Sequence, residues 1–211
     1  MWNITNIYDS FSETFSESRK NLKWPEIDYF VSLIKKKNLK QVRILDVGCG
    51  NGRLLNYLKD LKIDYVWVDS SSWMINEAKK LFPWYNFQVL DMLEIDKIWN
   101  FEFDFIFFLA SFHHLQNENS RLKVLQKTKK VLAKDGIIAM TNWNLMWDKL
   151  SQKYKDSYNG NGNFEIKIGE FKRYYHWFEL EELAELFSKS GLQIIENRVF
   201  EWENNIISVV G

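Results

Sequence analysis

The chain has 211 residues, which is long enough for one domain with a complete hydrophobic core. Its 28 basic and 28 acidic residues balance to zero formal charge, so the composition excludes a basic field over the whole surface. A single cysteine excludes an internal disulfide, and the longest apolar run, residues 105–110, is too short to span a bilayer, so we expect a cytoplasmic protein without a membrane segment.

Helices and strands alternate along most of the chain, which is typical of a parallel sheet with helices on both faces. Apolar residues at helical spacing predict a first helix over residues 4–18, and Pro25 suits the first turn of a helix that runs to about Lys37. The pattern then predicts strands at 42–47 and 64–68, a helix at 73–82, strands at 87–90 and 103–109, a helix at 118–132 and a strand at 137–141. We expect Asp135-Gly136 to form the turn into this last strand.

Residues 142–172 interrupt the alternation. They predict a helix at 144–158, an Asn-Gly-Asn-Gly-Asn turn and a short apolar run at 164–168, which together form an insertion on the substrate side of the sheet. The chain then continues with a helix at 179–190, a C-cap at Gly191, and strands at 193–200 and 206–210 that pair antiparallel through residues 203–205. The interpretation is one domain, residues 1–211, with residues 1–24 as an N-terminal lid segment.

The run Ile-Leu-Asp-Val-Gly-Cys-Gly-Asn-Gly at residues 44–52 begins inside the first predicted strand and continues past its end. Its alternate glycines, Gly48, Gly50 and Gly52, suit a backbone with positive φ or one that lies against a ligand. Dinucleotide sites use G-x-G-x-x-G, whereas G-x-G-x-G preceded by an acid, here Asp46, resembles the class I S-adenosylmethionine (SAM) methyltransferases. An acid at this loop suits a ligand that carries an ammonium and a sulfonium better than one with phosphates. The resemblance implies an α/β, Rossmann-like fold with a seven-stranded sheet, helices on both faces and SAM as the cofactor.

Polar residues follow the next two predicted strands. Asp69 ends the second strand, where a carboxylate can accept hydrogen bonds from both ribose hydroxyls, and Ser70 belongs to the same expected site. After the third strand, the methyltransferase resemblance assigns Asp91 to the adenine amine and Met92 to the adenine ring. The sequence therefore predicts a cofactor site at the carboxyl ends of the first three strands.

Segments outside the glycine motif resemble one family, the tRNA wobble-uridine carboxymethyl methyltransferases, which esterify 5-carboxymethyluridine. The similar segments are Tyr8-x-x-Phe11-x-x-x-Phe15-Ser16-x-x-Arg19, Phe112-His113-His114-Leu115, Val131-Leu132-Ala133-Lys134-Asp135-Gly136 and Lys172-Arg173-Tyr174-Tyr175-His176-Trp177-Phe178. The last of them is the most specific, because generic methyltransferases require nothing at that point. The resemblance extends over nearly the whole chain and implies a tRNA substrate, although residues 142–172 differ from the family in length and composition.

The same resemblance supplies four catalytic candidates. Arg173 is expected to orient the acceptor carboxylate, because a guanidinium matches a carboxylate bidentately. His114 follows the fourth strand, where acceptors lie in this fold. His176 and Tyr175 can donate to a uracil carbonyl or stack on a base. For each of them, ordinary packing or pairing with another side chain is the alternative.

Further expectations concern the N-terminal segment and partners. Tyr8 and Arg19 are expected to hold the SAM carboxylate, the alternative being a packed helix with a solvent-exposed arginine. Eukaryotic members of the family have a small zinc-binding activator partner, and the apolar run 98–101 is either a surface for such a protein or part of the core. The chain lacks a Cys and His set for a metal site, so we expect metal-free chemistry, and we expect no DNA partner.

Two other functions fit the same sequence. One is a small-molecule O- or N-methyltransferase of the same fold, with residues 142–172 as a lid over its pocket. The other is a non-catalytic SAM-binding scaffold that acts through a partner.

Overall fold

Seven strands form one mixed sheet in the computed structural model, which describes residues 24–98, 102–169, 171–201 and 204–211. The strands of the chain are β1 (Val42–Val47), β2 (Ile63–Asp69), β3 (Asn86–Val89), β4 (Phe103–Leu109), β5 (Leu132–Trp143), β6 (Tyr158–Gly160), β7 (Asn163–Ile168), β8 (Phe171–His176), β9 (Ile194–Val199) and β10 (Asn205–Val210). The order across the large sheet is β3-β2-β1-β4-β5-β10-β9. β10 runs antiparallel to β5 and β9, and the other pairs are parallel. The predicted α/β sheet and its antiparallel closing pair are confirmed.

Helices cover both faces of this sheet. They are α1 (Pro25–Lys36), α2 (Leu55–Leu58), α3 (Ser72–Leu81), α4 (Glu118–Lys130), α5 (Asp148–Lys153) and α6 (Leu180–Lys189), with 3₁₀ segments at Met92–Lys97, Phe112–His114 and Lys155–Ser157. α1, α2 and α3 bury their apolar residues in the core on one face, and α4 and α6 bury theirs on the other. The central strands β1, β4 and β10 are buried along most of their length, as strands covered on both faces require. In the described part of the chain, no helix is long and apolar enough to cross a membrane.

Local signals along the chain start or stop three of these helices. Pro25 opens α1, where its missing N–H costs no helical hydrogen bond. Ser71 caps α3 through its hydroxyl, which accepts a hydrogen bond from the N–H of Met74 at 3.2 Å. Gly191, with a φ of 70°, follows the end of α6. These local signals fix the boundaries of three helices around the sheet.

The insertion after β5 differs from its prediction. The helix expected at 144–158 is reduced to α5 and a 3₁₀ segment, and the chain then forms a second, three-stranded antiparallel sheet of β6, β7 and β8. Gly160, Asn161 and Gly162 have φ values of 90°, 50° and 74°, which lets the chain reverse sharply between β6 and β7. β8 carries the segment that most resembles the tRNA methyltransferases, so this sheet determines where those residues point.

β5 also begins earlier than predicted. It pairs with β4 through Leu132 opposite Phe103 and then through Ile137 opposite Phe105, so three extra residues bulge out of β5. The predicted turn at 135–136 is therefore wrong, because this segment lies inside the irregular first part of the strand.

Some expectations fall outside the described residues. They are the helix at 4–18 with Tyr8 and Arg19, all of the lid segment before Trp24, and residues 99–101 of the apolar run.

Candidate active site

The glycine loop after β1 brings its backbone close to neighbouring strands. Gly48, Gly50 and Gly52 have φ values of 74°, 57° and 78°, which side-chain-bearing residues rarely adopt. A Cβ at Gly48 would lie 2.4 Å from the Cβ of Ser111, and a Cβ at Gly52 would lie 2.9 Å from the Phe87 ring. A Cβ at Gly50 would meet nothing within 4 Å among the residues that the structure describes. The middle glycine therefore borders open space in which a ligand can lie against the backbone.

Asp69, at the end of β2, fixes this loop to the next helix. Its Oδ2 accepts a hydrogen bond from the N–H of Gly50 at 2.9 Å, and its Oδ1 accepts one from the N–H of Ser71 at 2.9 Å. Residues of the glycine loop line a cavity, and the Asp69 carboxylate borders the same cavity. Because a carboxylate has about four lone pairs, it can accept from ligand hydroxyls while it holds the loop.

Asp46, in β1 below the loop, is a buried acid. It is 2% exposed, and its Oδ1 has no hydrogen-bond partner within the described ranges of the chain. Burial raises the pKa of its carboxyl from 3.8 to about 8; the Arg53 guanidinium opposes this rise, and the charge of Asp69 adds to it. An unsatisfied carboxyl oxygen at the edge of a cavity favours a ligand that donates hydrogen bonds or carries positive charge.

The turn after β4 forms the opposite wall of the cavity. Ala110 has a φ of 53°, and its N–H donates to the carbonyl oxygen and to the Oγ1 of Thr141 on β5, at 3.1 and 2.9 Å. The Ser111 hydroxyl donates to the carbonyl oxygen of Val47 at 2.6 Å. These contacts fix the start of the 3₁₀ segment that carries the two histidines.

The histidines of this segment point in different directions. His113 is buried, lines the cavity and accepts a hydrogen bond at Nδ1 from the N–H of Trp143 at 3.3 Å. The ring of His114 turns toward β8, where its Nδ1 lies 2.9 Å from the carbonyl oxygen of Tyr174. The sequence predicts His114 as the residue near the acceptor, but His113 is the one that lines the cavity.

β8 presents two different faces because side chains alternate along a strand. Arg173 and Tyr175 lie on one face and line the cavity. Tyr174 and His176 lie on the other face, toward α4 and α6. The segment most specific to the tRNA methyltransferases therefore divides into two residues at the cavity and two behind it.

Arg173 is a buried cation at this cavity, with 4% of its surface exposed. Its Nη2 donates to the Nε2 of His114, and its guanidinium lies 5.0 Å from the centre of the Tyr175 ring. Burial lowers the pKa of Arg173 from its usual value, and the hydroxyl of Tyr175 opposes this effect. The guanidinium nevertheless stays charged, since arginine has an ordinary pKa above 12.

Behind β8, buried and partly buried polar side chains form a closed hydrogen-bond network. Arg121 donates to Glu182 at 3.1 Å and to the Tyr174 hydroxyl at 3.2 Å. Tyr174 donates to the Oδ1 of Asn163 at 2.5 Å, and His176 bridges that oxygen and Glu182 through its two ring nitrogens at 3.0 and 2.9 Å. This network ties the small sheet to α4 and α6. His176, expected from the sequence to be catalytic, belongs to it.

The cavity brings together six of the twelve predicted site residues that lie in the described part of the chain. Those that line it are Asp46, Gly48, Gly50, Asp69, Arg173 and Tyr175. The lining residues that the sequence did not identify as site residues include Arg53, His113 and Trp143. Trp143 ends β5, so the rule that ligands bind at the carboxyl ends of strands could have identified it.

The other predicted residues lie away from the cavity lining. Gly52 packs against the Phe87 ring, which leaves no room for a Cβ at this position. Ser70 is partly buried beside Asp69. Asp91 is exposed and accepts a hydrogen bond from the N–H of Leu93 at 2.8 Å, and Met92 packs against the core.

These observations fit SAM, the cofactor expected from the glycine motif. The unpartnered Oδ1 of Asp46 suits a cationic ligand, and the open space at Gly50 admits one against the loop. The Asp69 carboxylate suits a diol at the end of β2.

Comparison with known proteins also identifies a methyltransferase. Residues 15–197 match a family described as a methyltransferase domain. A tRNA (carboxymethyluridine(34)-5-O)-methyltransferase of Schizosaccharomyces pombe is 27% identical over 217 residues, covering 92% of this chain and 90% of that protein. The enzyme of the same name from Saccharomyces cerevisiae is 30% identical over 142 residues, covering 67% of this chain and 48% of that protein.

The fold is also shared with solved structures. An S-adenosylmethionine-dependent methyltransferase from Clostridium acetobutylicum superimposes with a TM-score of 0.71 at 18% identity, covering 97% of this chain and 96% of that one. Its likeness supports the fold that the sheet order indicates. The family match covers most of the sequence, and the chain therefore belongs to the class I SAM-dependent methyltransferases.

Proposed function

We propose that this methyltransferase esterifies the carboxylate of a modified wobble uridine in tRNA. The observation that carries the proposal is Arg173, a buried guanidinium at the cavity beside the glycine loop. The names of the S. pombe and S. cerevisiae relatives support the same acceptor. A tRNA substrate also agrees with the cytoplasmic location expected from the sequence.

On the cofactor side, we propose that Asp46, Asp69 and the backbone at Gly48 and Gly50 hold SAM. SAM supplies an electrophilic methyl group. Asp69 would accept from the ribose hydroxyls while its carboxylate continues to hold the loop N–H groups. Asp46 would face the positively charged part of the cofactor, and its Oδ1, which has no hydrogen-bond partner among the described residues, could accept a hydrogen bond from it.

On the acceptor side, Arg173 would bind the carboxylate that is methylated. A carboxylate has a pKa of about 4 and is already ionised at neutral pH, so it needs no general base. It needs a cation that orients it, and the planar guanidinium can bind both oxygens. Burial strengthens this interaction, because charges attract more strongly away from water.

Beside Arg173, two aromatic rings form a platform for a base. Trp143 and Tyr175 stack with their centroids 5.0 Å apart and an interplanar angle of 18°. Both residues line the cavity; Trp143 is partly buried and Tyr175 is buried. Single-stranded RNA bases stack on such rings, so we propose that the uracil ring stacks on Trp143.

A nucleoside assay tests the substrate. The protein is incubated with SAM and with tRNA from cells that lack their carboxymethyluridine methyltransferase, and the digested nucleosides are analysed by mass spectrometry. We expect the methyl ester of 5-carboxymethyluridine. Turnover of a small-molecule acceptor instead would establish the small-molecule alternative, and SAM binding without any product would establish the scaffold alternative.

The Arg173→Ala variant tests the site. We expect SAM affinity within about twofold of the wild type but turnover lower by roughly 100-fold, the usual effect of losing one preorganised charge. Arg173→Lys should recover part of the rate, because an ammonium cannot form the bidentate contact. Lys172→Ala is the matched control, since Lys172 is an exposed cation on the same strand, 3.4 Å from Glu165. Equal losses in Arg173→Ala and Lys172→Ala would contradict the assigned role.

The pH dependence separates the carboxylate from other acceptors. We expect a rate that is flat from about pH 6 to about pH 9, because the acceptor is ionised throughout that range. A steep rise near neutrality would indicate a histidine base and would favour an enzyme that methylates a hydroxyl or an amine.

We also propose that the activator protein implied by the family resemblance binds beside β3. β3 is an edge strand of the large sheet, and the apolar side chains of Leu81, Trp84 and Val89 around it are 49%, 92% and 54% exposed. Coexpression with the small zinc-binding partner of a eukaryotic relative should give a stable complex with the wild type and none with Trp84→Glu. Equal complex formation by both proteins would place the partner elsewhere.

A further inference from the structure

His114 has two ring nitrogens, and both make hydrogen bonds to β8. Nδ1 lies 2.9 Å from the carbonyl oxygen of Tyr174, and Nε2 contacts the Nη2 of Arg173. A carbonyl oxygen can only accept, so Nδ1 must carry a proton. A guanidinium can only donate, so Nε2 must have a free lone pair. Both contacts are satisfied by one species alone, the neutral ring with its proton on Nδ1.

We propose that His114 is a positioning residue, held as the neutral Nδ1–H tautomer, that fixes the Arg173 guanidinium at the cavity. Its role in catalysis rests on the proposed carboxylate acceptor, whereas the tautomer and the contact with Arg173 do not. The Nε2 lone pair already accepts from Arg173, which makes His114 unsuited to take a proton from the acceptor.

The geometry around Arg173 supports this assignment. The Tyr174 carbonyl follows Arg173 directly in β8, so the same strand supplies the cation and the acceptor that orients the histidine ring. The His114 ring also meets the Tyr175 ring edge-on at 4.6 Å, and the guanidinium lies over that same Tyr175 ring. His114 and Tyr175 thus restrain the guanidinium from two sides.

The neighbouring histidine shows the opposite arrangement. His113 accepts the N–H of Trp143 at Nδ1, so a neutral His113 carries its proton on Nε2. The two rings lie 4.5 Å apart and nearly perpendicular. The main chain therefore selects a different tautomer for each of two consecutive histidines, and only His114 offers its Nε2 lone pair to Arg173.

Nitrogen-15 NMR of histidine-labelled protein tests the tautomer without any substrate. We expect His114 to show a protonated Nδ1 and an unprotonated Nε2 near pH 7.5, a condition in which ordinary histidines are neutral. Arg173→Ala should shift the Nε2 resonance of His114, and Lys172→Ala should leave it unchanged. A proton on Nε2, or an Nε2 resonance that ignores Arg173→Ala, would overturn the proposal whether or not tRNA is the substrate.

A double-mutant cycle then tests positioning with the tRNA assay. His114→Ala should lower the rate at least about tenfold, with SAM affinity within about twofold, and His114→Gln should recover part of it by offering an amide oxygen to Arg173. Because His114 acts through Arg173, the double variant should be no slower than Arg173→Ala alone. A further loss in the double variant would show that His114 acts on the reaction independently. Absence of any tRNA product from the wild type would refute the proposed function and leave the NMR result standing.

Discussion

At the scale of single residues, Asp46 links the cavity to the stability of the protein. The pKa of Asp46 is about 8 in the folded protein, above its ordinary value of 3.8. Between these two pH values, the folded protein keeps a proton that the unfolded chain has released. The stability contribution of Asp46 is thus complete below about pH 4 and is lost as the pH rises through about 8.

Asp46→Asn removes this titration. Between about pH 5 and about pH 8, we expect the free energy of unfolding of the SAM-free wild type to fall relative to that of the variant. The difference should exceed about 1.4 kcal/mol, the equivalent of one pKa unit. Urea denaturation at several pH values measures it, and identical pH profiles for the two proteins would show that Asp46 is ionised in the folded state.

Asp69 is expected to contribute to SAM binding both directly and through the loop that it holds. Losing a charge-assisted hydrogen bond costs about 1.5–3 kcal/mol, so Asp69→Ala should weaken SAM binding by at least roughly tenfold in calorimetry. Asp69→Asn keeps one oxygen that can accept from the Gly50 N–H, and it should bind SAM with intermediate affinity. Unchanged affinity in Asp69→Ala would remove this residue from the cofactor site.

At the scale of elements, β8 contributes both to the cavity and to the hydrogen-bond network behind it, because its side chains alternate. One face supplies Arg173 and Tyr175 to the cavity, and the other supplies Tyr174 and His176 to the network with Arg121. The network fixes the position of the strand and thereby the position of the two cavity residues. Four consecutive residues with distinctive chemistry therefore need not all touch a substrate.

Arg121→Ala tests how strongly the network holds the small sheet. Arg121 is buried, and its removal takes away the charge-assisted hydrogen bond to Glu182, worth about 1.5–3 kcal/mol, and the hydrogen bond to the Tyr174 hydroxyl, worth about 0.5–1.5 kcal/mol. We expect the melting temperature to fall by roughly 2–4 °C for each kcal/mol lost. The control is Arg43→Ala, which breaks a more exposed pair with Asp104 at 3.0 Å and should cost no more than about 1 kcal/mol. Similar melting temperatures for the two variants would show that the network contributes little.

At the scale of the whole molecule, SAM should stabilise the fold because the unfolded chain has no site for it. At a SAM concentration of about 100 times the dissociation constant, the added stability is about 2.7 kcal/mol. This corresponds to a rise in melting temperature of roughly 5–10 °C for a chain of this size. Differential scanning fluorimetry measures the shift, and Asp69→Ala should show a smaller shift at the same concentration. A wild-type melting temperature that SAM leaves unchanged would contradict cofactor binding.

The sequence by itself determined the parts of this protein that depend on neighbours along the chain. Helical and strand periodicity predicted the large sheet, and Pro25 and Gly191 predicted helix ends, because these signals act within a few residues. The glycine spacing predicted the loop at the carboxyl end of β1 for the same reason. The strands of the insertion were not predicted in this way, because β7 and β8 pair with each other. The sequence of a single strand encodes such pairing only weakly.

Only the tertiary structure decided which side chains meet. His114 and Arg173 are 59 residues apart, and Arg121 and Glu182 are 61 apart, so no local pattern could connect them. The choice between His113 and His114 at the cavity, and the separation of Arg173 from His176, follow from the register of β8 against β7 and from the turn after β4. A shift of one residue in a strand exchanges its two faces, so the chemistry of this site is set by strand register, which long-range packing fixes.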